Sequence, residues 1–561
     1  LMAKKHDLRR IKAQGKINAN LPEVVDQFQR KEISRRDFLQ MASALGMSAA
    51  AVYGFAGGAP VAHAQAAKKG GTFRLDTPLQ KLQDPQTFSW IEGSNVTRDI
   101  CEYLTFYGED GVVTPYLSES WKVSGDGKTV DFFLRKGIKW SNGDEFNADD
   151  VAHNFARWRV EGNTSANHGE WNTASGLNDV EKVNSHQVRL HLSAADVSVP
   201  HRLYAYPTQI VHRSFDDTGA DLTKNGIGTG AFMLEHYQVG EGAKIVRRPG
   251  YWGGPEGQGD AYLDAVQFID LGEDPQASIS AIASDPNQTD WIYKITPKQL
   301  DIVRGLPDMQ ILDSVTQQTP VIRFACDDYE DENLKVRAID PRVREAIQLA
   351  TDNGAMLATA YANNGDAAEN HHTAPTQPDY YDLGFRPRRN LEKARQLWEA
   401  AGMKGKSIKL TVGNTQGDWE QNTCEVLQAQ CKEAGIDVQL EVLPSAQYWE
   451  VWDKSEFGLT FWTSRPLAIM LHKLAYKSGV PWNEARFASK KYDDALAAAA
   501  ASPDPKAASD HMKVCQEELL AAHVMVQPYW IKLYTGGKTY VKGFQRHPAE
   551  FYHMRRLWLD V

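Results

Sequence analysis

The chain has 561 residues, 42% of them hydrophobic and 24% charged, which is the composition of an ordinary globular protein. Its formal net charge of −10 argues against a partner that is a nucleic acid or an anionic membrane surface. The length suffices for several domains, and five cysteines without a C-x-x-C pair do not indicate a disulfide-stapled fold.

The N-terminal segment carries a pattern that is typical of protein export. Ser34–Leu39 reads SRRDFL and resembles the twin-arginine export signal, an Ala- and Gly-rich run follows, and Ala62–Ala64 offers an A-x-A cleavage site. The alternatives are a membrane anchor or a basic amphipathic helix, but the run holds few large apolar residues and is a poor spanning helix. We therefore expect residues 1–64 to be a signal peptide for the twin-arginine translocase, cleaved near Ala64, and the mature protein to be periplasmic.

The most strongly patterned region is residues 115–158. The segments SESWKVS and TVDFFLR predict two strands, and the Gly-Asp-Gly turn at residues 125–127 between them is typical of a β-hairpin. The segment NADDVAHNFARW predicts a helix, because Asn147 is a favourable N-cap and apolar residues recur behind it at helical spacing.

Later segments indicate an α/β protein. Residues 226–254 predict two strands around a Gly-Glu-Gly turn, and Asp340-Pro341 opens a predicted helix. The segments SIKLTVG, NTCEVLQAQCKEAG and IDVQLEVL alternate strand, helix and strand. This order predicts a βαβ unit with a parallel sheet.

These motifs, in this order, resemble the family 5 extracellular solute-binding proteins, the peptide, nickel and opine class that serves ABC importers. The resemblance extends from about Gly70 to Val561 and rests on the segments PYLSESWKVSGDGKTVDFFLRKGIKWSNGDEFNADDV, GTGAFMLEHY, GYWGG and DPRVREAIQLATD. It implies an α/β protein of two lobes, a type II periplasmic binding protein of the large cluster, with mixed sheets flanked by helices and an extra subdomain.

The resemblance also implies domain boundaries and partners. Lobe I would comprise residues 70–113, 220–325 and 528–561, with an inserted subdomain at 114–219, and lobe II would comprise residues 326–527. A small-molecule ligand would bind in the cleft, and the lobes would close over it by hinge motion. The expected partners are this ligand and the membrane permease subunits of an ABC importer, and we expect a monomer.

The family motifs themselves are expected to be structural. Turns, a helix first turn and core packing explain these residues without a ligand: Trp121, Gly127, Gly137, Asp150, Gly230 and Trp252.

The segment LTFWTSRP departs from the peptide-binding pattern. In peptide-binding members, the matching strand carries an acidic residue that pairs with the ammonium group of the peptide. Here Trp462, Thr463, Ser464 and Arg465 stand in its place, and Pro466 favours an extended backbone at the arginine. A guanidinium can bind a carboxylate, sulfate or phosphate in a bidentate manner. The alternative is an ordinary salt bridge or a solvated surface charge.

A second departure follows the strand SIKLTVG. Dipeptide-binding relatives have an Arg-Pro-Tyr-like segment there that holds the peptide carboxylate, whereas this chain has Asn414–Trp419. The side chains of Asn414 and Gln416 are candidates for binding ligand hydroxyls or amides. Capping of the following helix is the alternative.

Further ligand contacts are expected from residues that fall where the family lines its cleft. Aromatic rings there could stack on sugar rings or enclose a quaternary ammonium, and core packing is the alternative for each. The aromatic candidates are Trp90, Trp462, Trp482, Tyr529 and Trp530. Weaker hydrogen-bonding candidates are Asn483 and Asn95.

The leading functional prediction is a periplasmic binding protein for a small polar solute with an acidic group, such as an opine-like amino-acid conjugate or a modified peptide. Alternatives within the same fold are a betaine-like zwitterion binder, an ordinary oligopeptide binder, and a metal or haem carrier. An exported enzyme is disfavoured because the sequence has no G-x-S-x-G, H-E-x-x-H or Cys/His cluster. His371 and His372 are adjacent in a loop that we expect to be solvated. We therefore expect no catalytic residue, metal or cofactor.

Overall fold

The computed structural model describes residues 67–561 and a few residues before them. The gaps within that range are 83, 89–90, 161–170, 172–175, 256, 258, 273, 285, 331–334 and 503. The earlier residues are 24, 25, 27, 28, 30, 38 and 42. The predicted signal peptide therefore lies almost entirely outside the described residues, and so does Trp90. Among the described helices, none has the length and apolar composition that a membrane span requires.

The regular elements alternate between strands and helices along most of the chain. The strands are β1 (Thr72–Asp76), β2 (Thr105–Tyr107), β3 (Val113–Pro115), β4 (Ser118–Val123), β5 (Thr129–Leu134), β6 (Leu177–Asn184), β7 (Gln187–Leu192), β8 (Phe232–Gln238), β9 (Gly242–Arg247), β10 (Ala265–Ile269), β11 (Trp291–Ile295), β12 (Met309–Val315), β13 (Thr319–Phe324), β14 (Tyr329–Glu330), β15 (Lys335–Val336), β16 (Gly365–Ala367), β17 (Ser407–Gly413), β18 (Asp437–Leu443), β19 (Phe457–Trp462), β20 (Met525–Val526), β21 (Tyr529–Lys538), β22 (Val541–Lys542) and β23 (Trp558–Leu559). The helices are α1 (Ile91–Thr97), α2 (Ala148–Trp158), α3 (Pro275–Ala283), α4 (Leu300–Arg304), α5 (Pro341–Ala350), α6 (Asn353–Ala360), α7 (Leu391–Ala400), α8 (Trp419–Glu433), α9 (Ser445–Val451), α10 (Ala468–Ala475), α11 (Lys490–Ala501) and α12 (Pro505–Ala521).

The chain divides into two compact units. The first unit comprises Leu1–Ser314 and Leu533–Val561, and the second unit comprises Val315–Lys532. The chain therefore leaves the first unit once and returns to it once. The lobe boundaries that the resemblance implies stay a prediction beside this division.

The main sheet of the first unit is mixed. Its strand order is β12, the part of β21 from Leu533 onward, β11, β1, β10, β9 and β8. The central strand β1 runs parallel to both β10 and β11, and the strands β9 and β8 continue the sheet in antiparallel fashion. Buried side chains such as Phe73, Leu75, Phe268 and Trp291 form a core around this sheet.

A second sheet of the first unit confirms the predicted hairpin and helix. The strands β4, β5, β7 and β6 form an antiparallel sheet in that order, and β4 pairs with β5 across the predicted turn. Asn147 caps α2 through its side chain, which accepts from the backbone N–H of Asp149 at 2.8 Å. The buried carboxylate of Asp150 accepts from Asn147 N at 3.0 Å and from Trp140 Nε1 at 3.1 Å. Asp150 thus has the structural role that we expected.

The glycines of the GIGTG segment allow a close backbone approach. A Cβ on Gly230 would lie 2.1 Å from the carbonyl oxygen of Asp99, and one on Gly228 would lie 1.9 Å from that of Ile100. A side chain at either position would collide with backbone, so this motif fixes the packing of the first unit.

The second unit is built on a five-stranded sheet that contains the predicted βαβ unit. The strand order is β18, β17, β19, β13 and β20, and β17 is parallel to both β18 and β19. Helix α8 connects β17 to β18. Because parallel strands end at the same edge of a sheet, the loops after β17 and β19 lie along one edge. The start of β13 joins that edge, since Thr319 pairs with Trp462 in the antiparallel register.

Candidate functional site

The loop that follows β19 is fixed by buried polar groups. Ser464 is 2% exposed, and its hydroxyl accepts from the backbone N–H of Gln317 at 3.1 Å. The side-chain amide of Gln377 donates to the carbonyl oxygen of Arg465 at 2.9 Å. Both flanks of the arginine backbone are therefore held in place, which presents its side chain from a rigid support.

Arg465 is half-buried, and its guanidinium has no carboxylate partner within the part of the chain that the structure describes. Its Nη1 donates to Thr463 Oγ1 at 2.7 Å and to the carbonyl oxygen of Ser464 at 3.0 Å. Thr463 itself is exposed. The edge of the guanidinium that carries Nε and Nη2 stays open, and this edge has the two-donor geometry that matches a carboxylate.

A row of tryptophans leads from the surface to this loop. Ring centroids are separated by 6.0 Å between Trp449 and Trp452, by 6.2 Å between Trp452 and Trp482, and by 6.2 Å between Trp482 and Trp462. Trp449 and Trp482 are each 45% exposed, whereas Trp462 is 6% exposed. We call these four residues the tryptophan row.

Sequence reasoning identified Trp462 and Trp482 but missed Trp449 and Trp452. The signal was present, because the two lie three residues apart at the end of α9 and therefore share a face.

A buried ion pair lies behind Trp462. Glu484 accepts from Trp462 Nε1 at 2.9 Å through one carboxylate oxygen, and from Arg323 Nε at 2.8 Å and Thr460 Oγ1 at 2.6 Å through the other. The side chains of Arg323 and Glu484 are 0% and 3% exposed. Glu484 is thus committed to the fold and is not a free acid for a ligand ammonium.

The adjacent histidines are buried, so the expectation of a solvated loop is wrong. His371 is 1% exposed and its Nε2 lies 2.8 Å from Glu369, while His372 is 0% exposed and its Nδ1 lies 2.6 Å from the hydroxyl of Tyr476. The ring of His372 packs between Trp462 and Trp530, at 5.8 and 6.0 Å. Burial, and then the neighbouring His472, His371 and Arg465, hold the pKa of His372 well below its usual range. The imidazole of His372 is therefore uncharged at neutral pH and adds no second positive charge near Arg465.

His472 belongs to the same polar interior and makes stability depend on pH. Its ring nitrogens lie 2.8 Å from the hydroxyl of Tyr492 and 2.9 Å from that of Thr373. Burial, and secondarily His371, lowers the pKa of His472 to about 3. Below the unfolded pKa of about 6.5 the unfolded chain binds a proton that the folded chain does not, so the folded state loses stability as the pH falls.

We expect protonation of this histidine in the unfolded chain to lower the free energy of unfolding by about 2 kcal/mol as the pH falls from 7 to 5. Urea unfolding of the wild type and of His472→Gln at both pH values measures the difference. The variant, which carries no titrating ring, should lose that part of the pH dependence, and an equal slope in both proteins would contradict the assignment.

The loop after β17 caps the following helix through the side chain of Asn414 and the backbone of Gln416. The side chain of Asn414 both donates to and accepts from Gln421, each at 3.1 Å. The backbone N–H of Gln416 donates to Glu420 Oε2 at 2.8 Å, and its carbonyl oxygen accepts from Trp419 Nε1 at 3.2 Å. The capping alternative therefore describes Asn414. Hydrogen bonds to residues of α8 hold the loop against the start of that helix.

Three other predicted residues are engaged in the interior. Asn483 is 8% exposed, donates to the carbonyl oxygens of Lys477 and Phe487, and accepts from Phe487 N. Tyr529 is fully buried, and its hydroxyl lies 2.5 Å from Thr423 Oγ1. Asn95 lies in the first unit with its side-chain hydrogen bonds used, for example to Glu550 O at 2.9 Å. We therefore assign these three a role in the fold.

The structure thus brings together a subset of the predicted residues. Trp462, Thr463, Ser464, Arg465 and Trp482 lie at or near one loop, and Trp530, 4% exposed, joins them through His372. Over the described residues, no group of three or more His, Cys, Asp or Glu side chains has the arrangement that a metal ion requires.

The chain is similar to a known family of binding proteins and to individual members of it. The family model described as "Bacterial extracellular solute-binding proteins, family 5 Middle" matches residues 112–466, more than half of the chain. The Dipeptide-binding protein of Escherichia coli (strain K12) is 28% identical over 361 residues, 60% of this chain and 64% of that protein. The chain therefore matches less than two thirds of this relative's length.

Solved structures show the same fold. The ABC transporter substrate-binding protein CtaP from Listeria monocytogenes superposes with a TM-score of 0.76 at 18% identity, covering 88% of this chain and 100% of that chain. AgaA from A. tumefaciens R10, solved in complex with agropinic acid, gives 0.71 at 21% identity, with 88% and 99% coverage. The predicted fold class, a two-lobed α/β periplasmic binding protein, is confirmed.

Proposed function

The chain belongs to the bacterial extracellular solute-binding proteins of family 5, and from this premise we propose that it captures a small polar solute with an acidic group and delivers it to an ABC importer. The observation that carries the proposal is the open Nε and Nη2 edge of Arg465, held on a rigid loop at the end of β19. The solute that fits best is an opine-like amino-acid conjugate or a modified peptide.

The charge at this loop favours an acidic ligand group. An unpaired guanidinium that is half removed from water gains most from a bidentate anion. The nearby carboxylate of Glu484 is bound to Arg323, Thr460 and Trp462, so it does not offer a partner to a ligand ammonium. A carboxylate therefore has a partner on this loop, and an ammonium does not.

The tryptophan row supports a solute with a ring or an extended apolar body. Two of its members are 45% exposed, and such faces stack on sugar or lactam rings. AgaA, a structural neighbour, is solved in complex with the opine agropinic acid. The same faces also attract a quaternary ammonium, which keeps a betaine-like zwitterion as the second candidate.

The N-terminal segment supports a proposal about export and location. We propose export by the twin-arginine signal at Ser34–Leu39, cleavage near Ala64 and action in the periplasm as a monomer. Mass spectrometry of the protein recovered from a periplasmic fraction would locate the mature N-terminus.

A thermal-shift screen tests the proposed solute class. The probes are agropinic acid and other opines, their methyl esters, unmodified dipeptides, glycine betaine and nickel. A probe at 100 times its dissociation constant should add about 2.7 kcal/mol to the stability of the folded state. We expect stabilisation by an acidic opine and its loss in the corresponding ester. Stabilisation by glycine betaine, unmodified dipeptides or nickel alone would overturn the proposal in favour of that class.

A further inference from the structure

A small cavity lies inside the first unit. Its walls are Arg98, His553 and a set of aromatic rings that includes Phe106, Tyr116 and Phe551. The volume of the cavity is about 10 Å³, measured for the centre of a water molecule. This is enough for one water molecule or one ion of halide size. The lining combines one cationic side chain with the hydroxyl-bearing residues Tyr103, Thr105, Tyr107, Tyr116 and Tyr204, and among the described residues it contains no carboxylate. This composition suits an anion better than a cation.

Arg98 brings a buried positive charge to this cavity. The residue is 3% exposed, and its guanidinium carbon lies 3.9 Å from the ring centroid of Phe551. Its Nε donates to Asn95 Oδ1 at 3.2 Å and its Nη2 donates to Ser94 Oγ at 2.5 Å. Both acceptors are neutral, and Nη1 has no hydrogen-bond partner within the described part of the chain. A buried guanidinium that has an unused N–H donor and no hydrogen-bonded carboxylate is costly, so an anion at Nη1 would stabilise this arrangement.

His553 contributes a second unused polar group. Its Nε2 is buried and has no hydrogen-bond partner among the residues that the structure describes. The ring packs against Phe106 at 4.5 Å between centroids. Burial, together with the charges of Arg98, His547, Arg555 and Arg556, holds the pKa of His553 well below its usual range, so the ring is neutral and carries one N–H donor.

The carboxylates around the cavity form their hydrogen bonds elsewhere, although the Asp99 carboxyl, whose pKa burial raises, is within electrostatic range of Arg555, Arg98 and Arg556. Asp99 accepts from the backbone N–H of Met554 at 2.7 Å, and Glu109 lies 3.7 Å from Arg556. Glu102 accepts from the hydroxyls of Tyr116 and Tyr251 and from Trp252 Nε1. Within the described residues, none of the three forms an ion pair or hydrogen bond with Arg98.

We propose that this cavity is a binding site for one monovalent inorganic anion of halide size, held by Arg98 Nη1 and by the imidazole N–H of His553. The anion links α1, which supplies the partners of Arg98, to the C-terminal segment that carries Phe551 and His553. It therefore stabilises the first unit, independently of which solute the protein binds.

Bromide is the probe for this site, because it scatters X-rays anomalously and replaces chloride. Crystals of the full chain grown in sodium bromide should show an anomalous peak within hydrogen-bonding distance of Arg98 Nη1. In solution, the unfolding midpoint should rise saturably as chloride replaces gluconate at constant ionic strength. The Arg98→Gln variant should lose both signals, whereas Arg304→Gln, an exposed arginine of the same unit, should keep them.

Two outcomes would contradict the proposal of an anion at this cavity. A water molecule without anomalous signal overturns it. A bromide peak without a saturable chloride effect means an adventitious ion only and also overturns it. If Arg98→Gln does not fold, His553→Phe replaces it, and the wild-type peak and chloride titration remain decisive.

Discussion

Arg465→Ala is expected to weaken binding of the acidic solute by roughly 2–5 kcal/mol, the cost of removing one partner of a desolvated charge pair. This corresponds to an affinity loss of about 30-fold to several thousand-fold. The large effect follows from pre-organisation. Gln317 holds the side chain of the preceding Ser464, Gln377 holds the carbonyl oxygen of the arginine, and Thr463 accepts from its Nη1. Isothermal titration calorimetry with the acidic opine found in the thermal-shift screen measures it.

Two control variants separate recognition from general damage. Arg465→Lys keeps the charge but loses the two-donor edge, so its affinity should fall between those of the wild type and the alanine variant. Arg342→Ala removes an arginine of the same unit that pairs with Asp340 at the surface, and its affinity should equal that of the wild type. Unchanged affinity of Arg465→Ala would remove the arginine from the site while leaving the family membership intact.

The parts of the fold that sequence reasoning predicted are those set by local chemistry. The hairpin of β4 and β5 follows from a Gly-Asp-Gly turn, the start of α2 from an Asn cap, and the βαβ unit from three successive patterns. The pairing of Thr72 in β1 with Ala265 in β10 has no local signal, because it depends on the whole intervening chain folding back. The order of strands in both sheets is therefore a result of tertiary packing.

The candidate site divides in the same way. Arg465 was identifiable because a base stands where peptide-binding members have an acid, and its anchoring by Gln317 and Gln377 was not visible in the sequence. Asn483 and Asn95 have side chains suited to a ligand, but backbone groups already use them, near in sequence for Asn483 and 455 residues away for Asn95. The sequence shows which hydrogen bonds a polar side chain can form. Only the fold shows whether groups of the protein already form them.

The burial of His371 and His372 has the same origin. Hydrogen bonds between the two histidines and Glu369, Tyr476 and Gln527, in which Glu369 and Gln527 accept, take the place of water around the loop. These partners are up to 155 residues away in sequence, so local polarity gave the wrong expectation.

The second large effect concerns the buried pair of Arg323 and Glu484. Glu484→Leu should destabilise the protein by about 3–5 kcal/mol, because it leaves the fully buried guanidinium of Arg323 without its counterion. The donors Thr460 Oγ1 and Trp462 Nε1 would lose their acceptor in the same step. Urea unfolding monitored by circular dichroism measures the loss, and Asp494→Ala, from the exposed pair with Lys490, should leave the unfolding midpoint unchanged.

The double variant Arg323→Met with Glu484→Leu distinguishes a charge effect from a packing effect. If the loss in Glu484→Leu comes from an uncompensated buried charge, removing that charge as well should recover much of the stability, and the double variant should be more stable than Glu484→Leu alone. The recovery will be incomplete, because Arg323 also donates to Ser455 Oγ at 2.8 Å and to the carbonyl oxygen of Trp452. A double variant whose loss equals the sum of the two single losses would show that the two side chains act independently, and the support of Trp462 would then rest on packing rather than on this ion pair.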